Sequence, residues 1–292
     1  MTASGGAHSA PESKVVSKLE STVASKAGEI LHRLDRWTGA VFRQVRSAHD
    51  GVELEPAWRR FALAGAFVLI AILLSMLVLD MAAIRLAWTL PVPVINTFNE
   101  ITDFGQSHWP LVPLGVAYLL TAVLAAAPVG RMGHGVLVAL AARFGFMFVA
   151  IGLPSLLVTI IKRVIGRVRP SELGPFAYEP LSWKAQFASL PSGHTTTAFA
   201  TLVAVGLIVP RARPLLWVYA AAIGLSRIVV ATHFPSDVMA GAAFGALGAV
   251  MVRDWFAARR LVFHIGSDGA VRPLPGPSWG RIKKVARALA GQ

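Results

Sequence analysis

Six apolar stretches divide the chain, at roughly Phe61–Leu79, Leu111–Ala127, Gly135–Ile161, Thr195–Val209, Leu215–Ala231 and Val238–Val252. A helix needs about 20 apolar residues to cross a bilayer, with a range near 17–25. The last three stretches run a little short, so their ends are expected to extend into the polar segments that flank them. Nothing shows the two-residue alternation of a membrane barrel. The pattern predicts an all-α, polytopic membrane protein with six transmembrane helices over residues 61–252. Within the last stretch, Gly241 and Gly245 form a Gly-x-x-x-Gly pair that suits a close helix contact. Against that reading stands the general abundance of small residues in membrane helices.

The flanking segments have patterns of their own. Residues 1–60 open with a small, polar stretch from Met1 to Glu12, predicted to be disordered. No short apolar segment of signal-peptide type follows, so no cleavable signal is expected. From Ser13 to Arg46 apolar residues such as Val16, Leu19, Val23, Ile30, Leu34, Trp37 and Val41 fall at helical spacing, with Lys18, Lys26, Arg33, Arg36 and Arg43 among them. This predicts an N-terminal amphipathic helix lying on the membrane surface, with packing on a partner chain or on itself as the alternative. Residues 253–292 form a short basic tail. Leu261–Ile265 and Ala270–Arg272 flank the Gly-Ser-Asp-Gly run at 266–269 and read as a small hairpin. Trp279 to Leu289, with Arg281, Lys283, Lys284 and Arg287, reads as a basic amphipathic helix suited to anchoring on the membrane.

Composition agrees with the membrane reading. The 292 residues are 55% hydrophobic and only 15% charged, against about 25% charged in a soluble domain, and the mean hydropathy is +0.60. The absence of cysteine excludes disulfide and thiolate-metal chemistry. The net charge of +13 raises the question of nucleic acid, but the charge brackets apolar stretches instead of concentrating on a soluble domain. Residues 1–60 carry nine Lys/Arg against seven Asp/Glu, and residues 253–292 carry eight against two. Such flanks suit anionic headgroups. With the N-terminus inside, twenty Lys/Arg fall on the cytoplasmic side and seven opposite. That asymmetry predicts a multi-pass protein of a bacterial cytoplasmic membrane, both termini cytoplasmic. The segments between the third and fourth stretches, and between the fifth and sixth, then face outward.

Those two outward segments hold almost all the unusual residues. The first begins with Lys162, continues with Arg169-Pro170 and ends with Pro191-Ser192-Gly193-His194; the second has Ser226-Arg227, His233 and Asp237. Lys162, Arg169 and Arg227 are three cations at a membrane face, where a charge is costly and marks a site. They suit a phosphate of charge about −2, gripped by planar guanidinium groups and a point-charge ammonium. Pro191 to His194 opens a helix whose free N–H groups favour a bound phosphate. Gly193 allows close approach, and Ser192 adds a hydroxyl. His233 and Asp237 are four apart, a spacing that can put both on one helical face. A carboxylate on one imidazole nitrogen leaves the other as a nucleophile, and His194 is then available to protonate the leaving group. Each residue alone is more often a structural histidine or a snorkelling arginine; their joint order and spacing carry the reading. Arg163 and Arg167 lie beside the motif and are expected to meet neighbouring lipid phosphates, or a second phosphate or sugar of the substrate. His108, with Glu100 and Asp103, could meet a headgroup, although a structural role is weighed above it.

The set Lys-x6-Arg-Pro, Pro-Ser-Gly-His and Ser-Arg-x5-His-x3-Asp resembles the three-part signature of the type 2 phosphatidic acid phosphatase superfamily, which also includes vanadium haloperoxidases. Every signature position is matched, between 162 and 237. The resemblance implies an all-helical, metal-independent phosphatase with no cofactor. It implies His233 as nucleophile, Asp237 as its partner, His194 as acid, and Lys162, Arg169, Ser192, Gly193 and Arg227 as phosphate-binding residues. The expected reaction is hydrolysis of a phosphate monoester or diphosphate of a lipid through a phosphohistidine. Undecaprenyl diphosphate, lipid A, phosphatidylglycerol phosphate and phosphatidic acid all fit; an outward site favours the envelope lipids. A phosphotransferase using the same site and an inactive lipid-binding or transport scaffold are the alternatives. Contacts that discriminate among lipids are expected from loop 80–109 and from 171–190, with Phe176, Tyr178 and Trp183.

Overall fold

A computed structural model describes residues 57–125, 130–170 and 176–291, with a few isolated helical positions between 21 and 32. The expected amphipathic helix over 13–46 otherwise lies outside the described residues.

Helix α1 (Ala57–Val78) is apolar on every side, and Leu63, Phe67, Leu74 and Leu77 stay exposed. Such a surface suits lipid contact. The chain bends by 54° into the short α2 (Asp80–Ala87). Pro91, extended, caps α3 (Val92–Asp103), and α4 (His108–Leu124) follows. The stretch expected as a loop over 80–109 is therefore mostly helical. Next come α5 (Gly130–Ile165), α6 (Gly193–Ile208), α7 (Arg213–Val229) and α8 (Pro235–Ala258).

Each of the six apolar stretches falls on a helix, yet the count of spans differs from the expectation. Four helical stretches among the described residues are long and apolar enough to cross a membrane: 92–124, 130–165, 210–229 and 235–258. The bent pair α1/α2 makes a fifth if it is one span, and α6 is shorter, at 16 residues. The helix ends do run into the motifs: α6 takes in Gly193 and His194, α7 takes in Ser226 and Arg227, and α8 begins at Pro235.

Helix α6 is the centre of the bundle, packed on α5, α7 and α8. Its buried Thr196 and Thr201 hydroxyls donate to the Ser192 and Thr197 carbonyls, and Thr197 Oγ1 meets Ser155 Oγ of α5 at 3.0 Å. Buried hydroxyls are tolerated because each is bonded. Gly241 and Gly245 bring α8 against the backbone at the start of α6. A Cβ on Gly241 would lie 2.5 Å from the Ser192 carbonyl oxygen, and one on Gly245 would strike the Thr196 carbonyl. The expected close contact is there, and it holds α8 against the first turn of α6.

The tail folds onto the bundle. Strands β1 (Phe263–Ile265) and β2 (Val271–Pro273) pair antiparallel, His264 opposite Arg272. Phe263 stacks edge-on to Phe146 of α5 at 4.8 Å, in a cluster with Phe256 of α8. Arg143 of α5 donates to the Leu274 carbonyl at 2.8 Å. In α9 (Trp279–Leu289) the inner residues Ile282 and Val285 pack on Ala125, Val136 and Leu137. Part of the apolar face expected on the membrane is thus spent on the bundle, while Arg281, Lys283, Lys284 and Arg287 stay exposed.

Candidate functional site

The local fold explains why distant motifs meet. Lys162 sits in the last turn of α5, where a cation is favoured by the helix dipole. Gly166, at φ +65°, turns the chain sharply; a Cβ there would strike the Glu179 carbonyl. The following stretch is tied down by Val168 N–H to the Ala177 carbonyl and Arg169 N–H to the Gln186 carbonyl. Arg169 is thereby carried back towards the bundle. Ser192 is the extended cap residue of α6, but its side chain does not cap the helix. It accepts instead from Thr195 Oγ1 at 3.0 Å, which leaves its own proton free to donate. Nothing stands within 4 Å of a Cβ built on Gly193, so the first turn of α6 faces open space.

His233 lies just before α8, not on it. Phe234 is the cap residue and Pro235 the first helical residue. Asp237 reaches back to accept from the Phe234 N–H at 2.9 Å, and this brings its Oδ2 to 3.7 Å from His233 Nδ1. The two side chains meet through a capping contact rather than on one helical face as the spacing suggested. The separation is longer than a hydrogen bond. Nδ1 faces the carboxylate, so Nε2 is the nitrogen left free of it. Burial pulls the His233 imidazole down to about 4, against the neighbouring Asp237 and with help from the Arg227 charge.

The remaining candidates converge on this pair. Arg227, His233, Lys162 and Arg169 all lie near enough to His194 to act on it electrostatically. Arg227 donates from Nη1 to Thr102 Oγ1 of α3 at 2.6 Å. The Nε atoms of both Arg169 and Arg227 are buried without a hydrogen-bond partner. Two buried donors without acceptors, near an uncapped helix start, have the chemistry to bind an anion. Arg169 is held below its ordinary pKa by burial and by the Arg163 charge, a crowding that an anion would relieve. No cluster of three or more His, Asp or Glu among the described residues could hold a metal ion.

Sequence reasoning missed several residues here. Asp80, Ser189, Ser236 and Thr102 were not singled out, although an aspartate directly after an apolar stretch is a signal in itself. Of the two arginines beside the motif, Arg167 does not face lipid. Arg163 donates to the Trp183 and Lys184 carbonyls at 2.8 and 3.0 Å. Arg167 is fully buried, bonded to Asp80 and Asp237 at 2.7 Å each. Burial works against its guanidinium, but Asp237 and then Asp80 outweigh it and raise its pKa. Of the expected headgroup set in α3 and α4, Asp103 accepts from Gln106 at 3.1 Å and acts on the Arg227 charge, whereas the His108 ring packs near Trp109.

Comparison with known proteins adds an independent line. The model of the PAP2 superfamily matches residues 143–261, a span that holds all three motifs. The lipid A 1-phosphatase of Rhizobium johnstonii is 34% identical over 211 residues, covering 68% of this chain and 82% of that protein. The decaprenylphosphoryl-5-phosphoribose phosphatase of Mycobacterium tuberculosis is 32% identical over 159 residues, 54% of this chain and 78% of that protein. The first transmembrane PAP2-type phosphatidylglycerolphosphate phosphatase from Bacillus subtilis aligns in structure with a TM-score of 0.46 and 20% identity, over 65% of this chain and 94% of that one. On the sequence matches, the chain belongs to the PAP2 superfamily.

Proposed function

We propose that this protein is a membrane lipid phosphatase that removes a phosphate from an envelope lipid at the outer face of a bacterial cytoplasmic membrane. The observation that carries the reading is one juxtaposition. His233, with Asp237 on its Nδ1 side, lies within electrostatic reach of Arg169 and Arg227, whose Nε atoms have no partner, and of His194 in the uncapped first turn of α6. His233 Nε2 attacks phosphorus and the bond from phosphorus to the lipid oxygen breaks. Protonated His194 gives its proton to that oxygen; the now neutral His194 takes a proton from water, whose oxygen attacks phosphorus as the bond from phosphorus to His233 Nε2 breaks, so that phosphate leaves and both imidazoles are restored. Lys162, Arg169, Arg227, the Ser192 hydroxyl and the N–H groups of Gly193 and His194 hold the charge that develops on the equatorial oxygens. Side chains and the backbone N–H groups at the start of α6 supply every one of these roles, so the reaction is proposed to run without a metal.

Two relatives at 32–34% identity act, by name, on lipid A and on a decaprenyl-linked phosphate. Both are lipid-anchored phosphates, which supports the envelope-lipid class over a soluble ester. The test is phosphate release by purified protein from lipid A, undecaprenyl diphosphate, phosphatidylglycerol phosphate and phosphatidic acid. Lipid A or the polyprenyl diphosphate is expected to be cleaved fastest, with vanadate inhibiting and EDTA leaving the rate unchanged. His233→Ala and His194→Ala are each expected to abolish release while the protein still inserts. Full turnover by His233→Ala overturns the mechanism, and a rate lost to EDTA overturns its metal-free form.

A further inference from the structure

Arg167 belongs to none of the three motifs, yet it is the largest fully buried side chain. Its guanidinium bridges two carboxylates that are themselves fully buried. Nη2 donates to Asp80 Oδ2 and Nη1 to Asp237 Oδ1, both at 2.7 Å. Ser236 closes the ring: it accepts from Arg167 Nη1 at 2.7 Å and donates to Asp80 Oδ2 at 2.6 Å, while its N–H donates to Asp80 Oδ1 at 2.9 Å. The same guanidinium lies 4.3 Å from the ring centre of Phe234, the residue directly after His233. The main chain of Arg167 contributes as well. Its carbonyl accepts from the Ser189 N–H at 3.1 Å, and the Ser189 hydroxyl donates to Asp237 Oδ2 at 2.5 Å.

These bonds divide the two oxygens of Asp237. Oδ1 is taken by Arg167, and Oδ2 is left to Ser189, the Phe234 N–H and His233. We propose that Asp80 and Arg167 are positioning residues of this site: they fix the plane of the Asp237 carboxylate so that Oδ2 faces His233. The inference rests on the reading of His233 as nucleophile. It brings the bent first helix pair into the working site, because Asp80 is the first residue of α2, at the bend. A buried ion arrangement is weak evidence for stability, since apolar side chains of similar volume hold a core as well. Its direct bond to the partner of the nucleophile gives it a different purpose. Arg167 also supplies a countercharge for two buried carboxylates, so that Asp237 stays ionised and able to hold the imidazole proton.

Full-length protein purified in detergent and carrying Asp80→Asn, Arg167→Gln or both tests this, on whichever lipid of the panel above the wild type cleaves fastest. Turnover is divided by the number of sites that bind saturating vanadate, which counts folded centres only. Asp80→Asn is expected to lower kcat per site by about 10- to 100-fold, the scale of a misaligned catalytic group. KM is expected to stay within about twofold, because the phosphate-binding side chains are untouched. Arg167→Gln leaves two buried carboxylates without a cation and can fail to insert. The double variant, which removes one charge of each sign, then stands in for it and is expected to be no faster than Asp80→Asn. Wild-type kcat per site in Asp80→Asn overturns the inference, as does a loss confined to KM or to the number of sites. His233→Ala in the same assay keeps the two readings apart. If it is inactive while Asp80→Asn is unaffected, only this inference falls; if it is active, the nucleophile reading falls first.

Discussion

His233 is a side chain whose chemistry is set almost wholly by where it is buried. Its imidazole is 3% exposed, and burial is the first cause of a pKa near 4. An unfolded histidine titrates near 6.5. The folded protein therefore binds fewer protons at this residue than the unfolded chain between those two values. Stability contributed by neutral His233 is present above about pH 6.5, is lost as pH falls through about 4, and is level below that. The same shift keeps His233, the proposed nucleophile, unprotonated at any physiological pH. Thermal unfolding of wild type and His233→Gln in detergent, followed from pH 7.5 to 4, reads this contribution together with that of the groups coupled to it, Asp237 first, while the uncoupled titrating groups cancel in the difference. The advantage of the wild type is expected to shrink steadily between about pH 6.5 and 4. A difference that stays level across that range would put the imidazole at its ordinary pKa and remove the case for a neutral nucleophile in acid.

At the scale of elements, the contact of α6 with α8 decides whether the motifs meet at all. Gly241 and Gly245 let two backbones touch where the obstructing atoms are carbonyl oxygens, which cannot swing aside as a side chain can. Gly245→Ala is expected to cost about 1–3 kcal/mol of stability, the usual cost of overpacking, read as a lowered Tm in detergent. Gly241→Ala presses on the carbonyl of Ser192, the residue that opens α6, so it is expected to lower kcat/KM more than it lowers Tm. Unchanged Tm and turnover in both variants would mean that the helices separate freely. This pair was legible in the sequence because its spacing is local. So were the three motifs, whose residues fall on or just beyond the helix ends that the apolar pattern already outlined. The Asp80 network was not legible. Its bonds join positions 87 and 156 residues apart, and no periodicity encodes such a pairing. The segment 80–109 misled for a related reason. Asp80, Pro91 and Gly105 punctuate it like a loop, whereas two short helices use Asp80 and Pro91 as their starts. The α9 face was read correctly as amphipathic, but a helical pattern does not say whether lipid or protein will cover it.

Across the whole molecule, the chemistry-bearing groups gather at one end of the helices. Lys162 and Arg227 lie in the last turns of α5 and α7, and His194 and Asp237 in the first turns of α6 and α8. Arg211 and Arg213 sit at the α6–α7 connection, at the other end of α6 and α7. The tail belongs to that other end too, since α9 packs on Val136 and Leu137 near the start of α5. Lys/Arg are far denser on the tail side, and by the positive-inside rule that asymmetry supports the proposal of a cytoplasmic tail and an outward site. Trp183, 83% exposed on the segment that frames the site, is the kind of residue that sits at a headgroup boundary. The chain contains no cysteine, so a single introduced thiol can be followed without background. Lys184→Cys places it on the 176–187 segment, at an exposed side chain outside every motif. Ser267→Cys places it at the exposed turn of the tail hairpin. A maleimide that cannot cross the cytoplasmic membrane, applied to cells with a permeable outer envelope, is expected to label position 184 in intact cells and position 267 only after lysis. The reverse pattern would place the site inside and leave substrates of the outer leaflet out of reach. Labelling of both positions before lysis would mean that an even number of crossings separates them, in place of the three made by α6, α7 and α8, and the helix count would have to change.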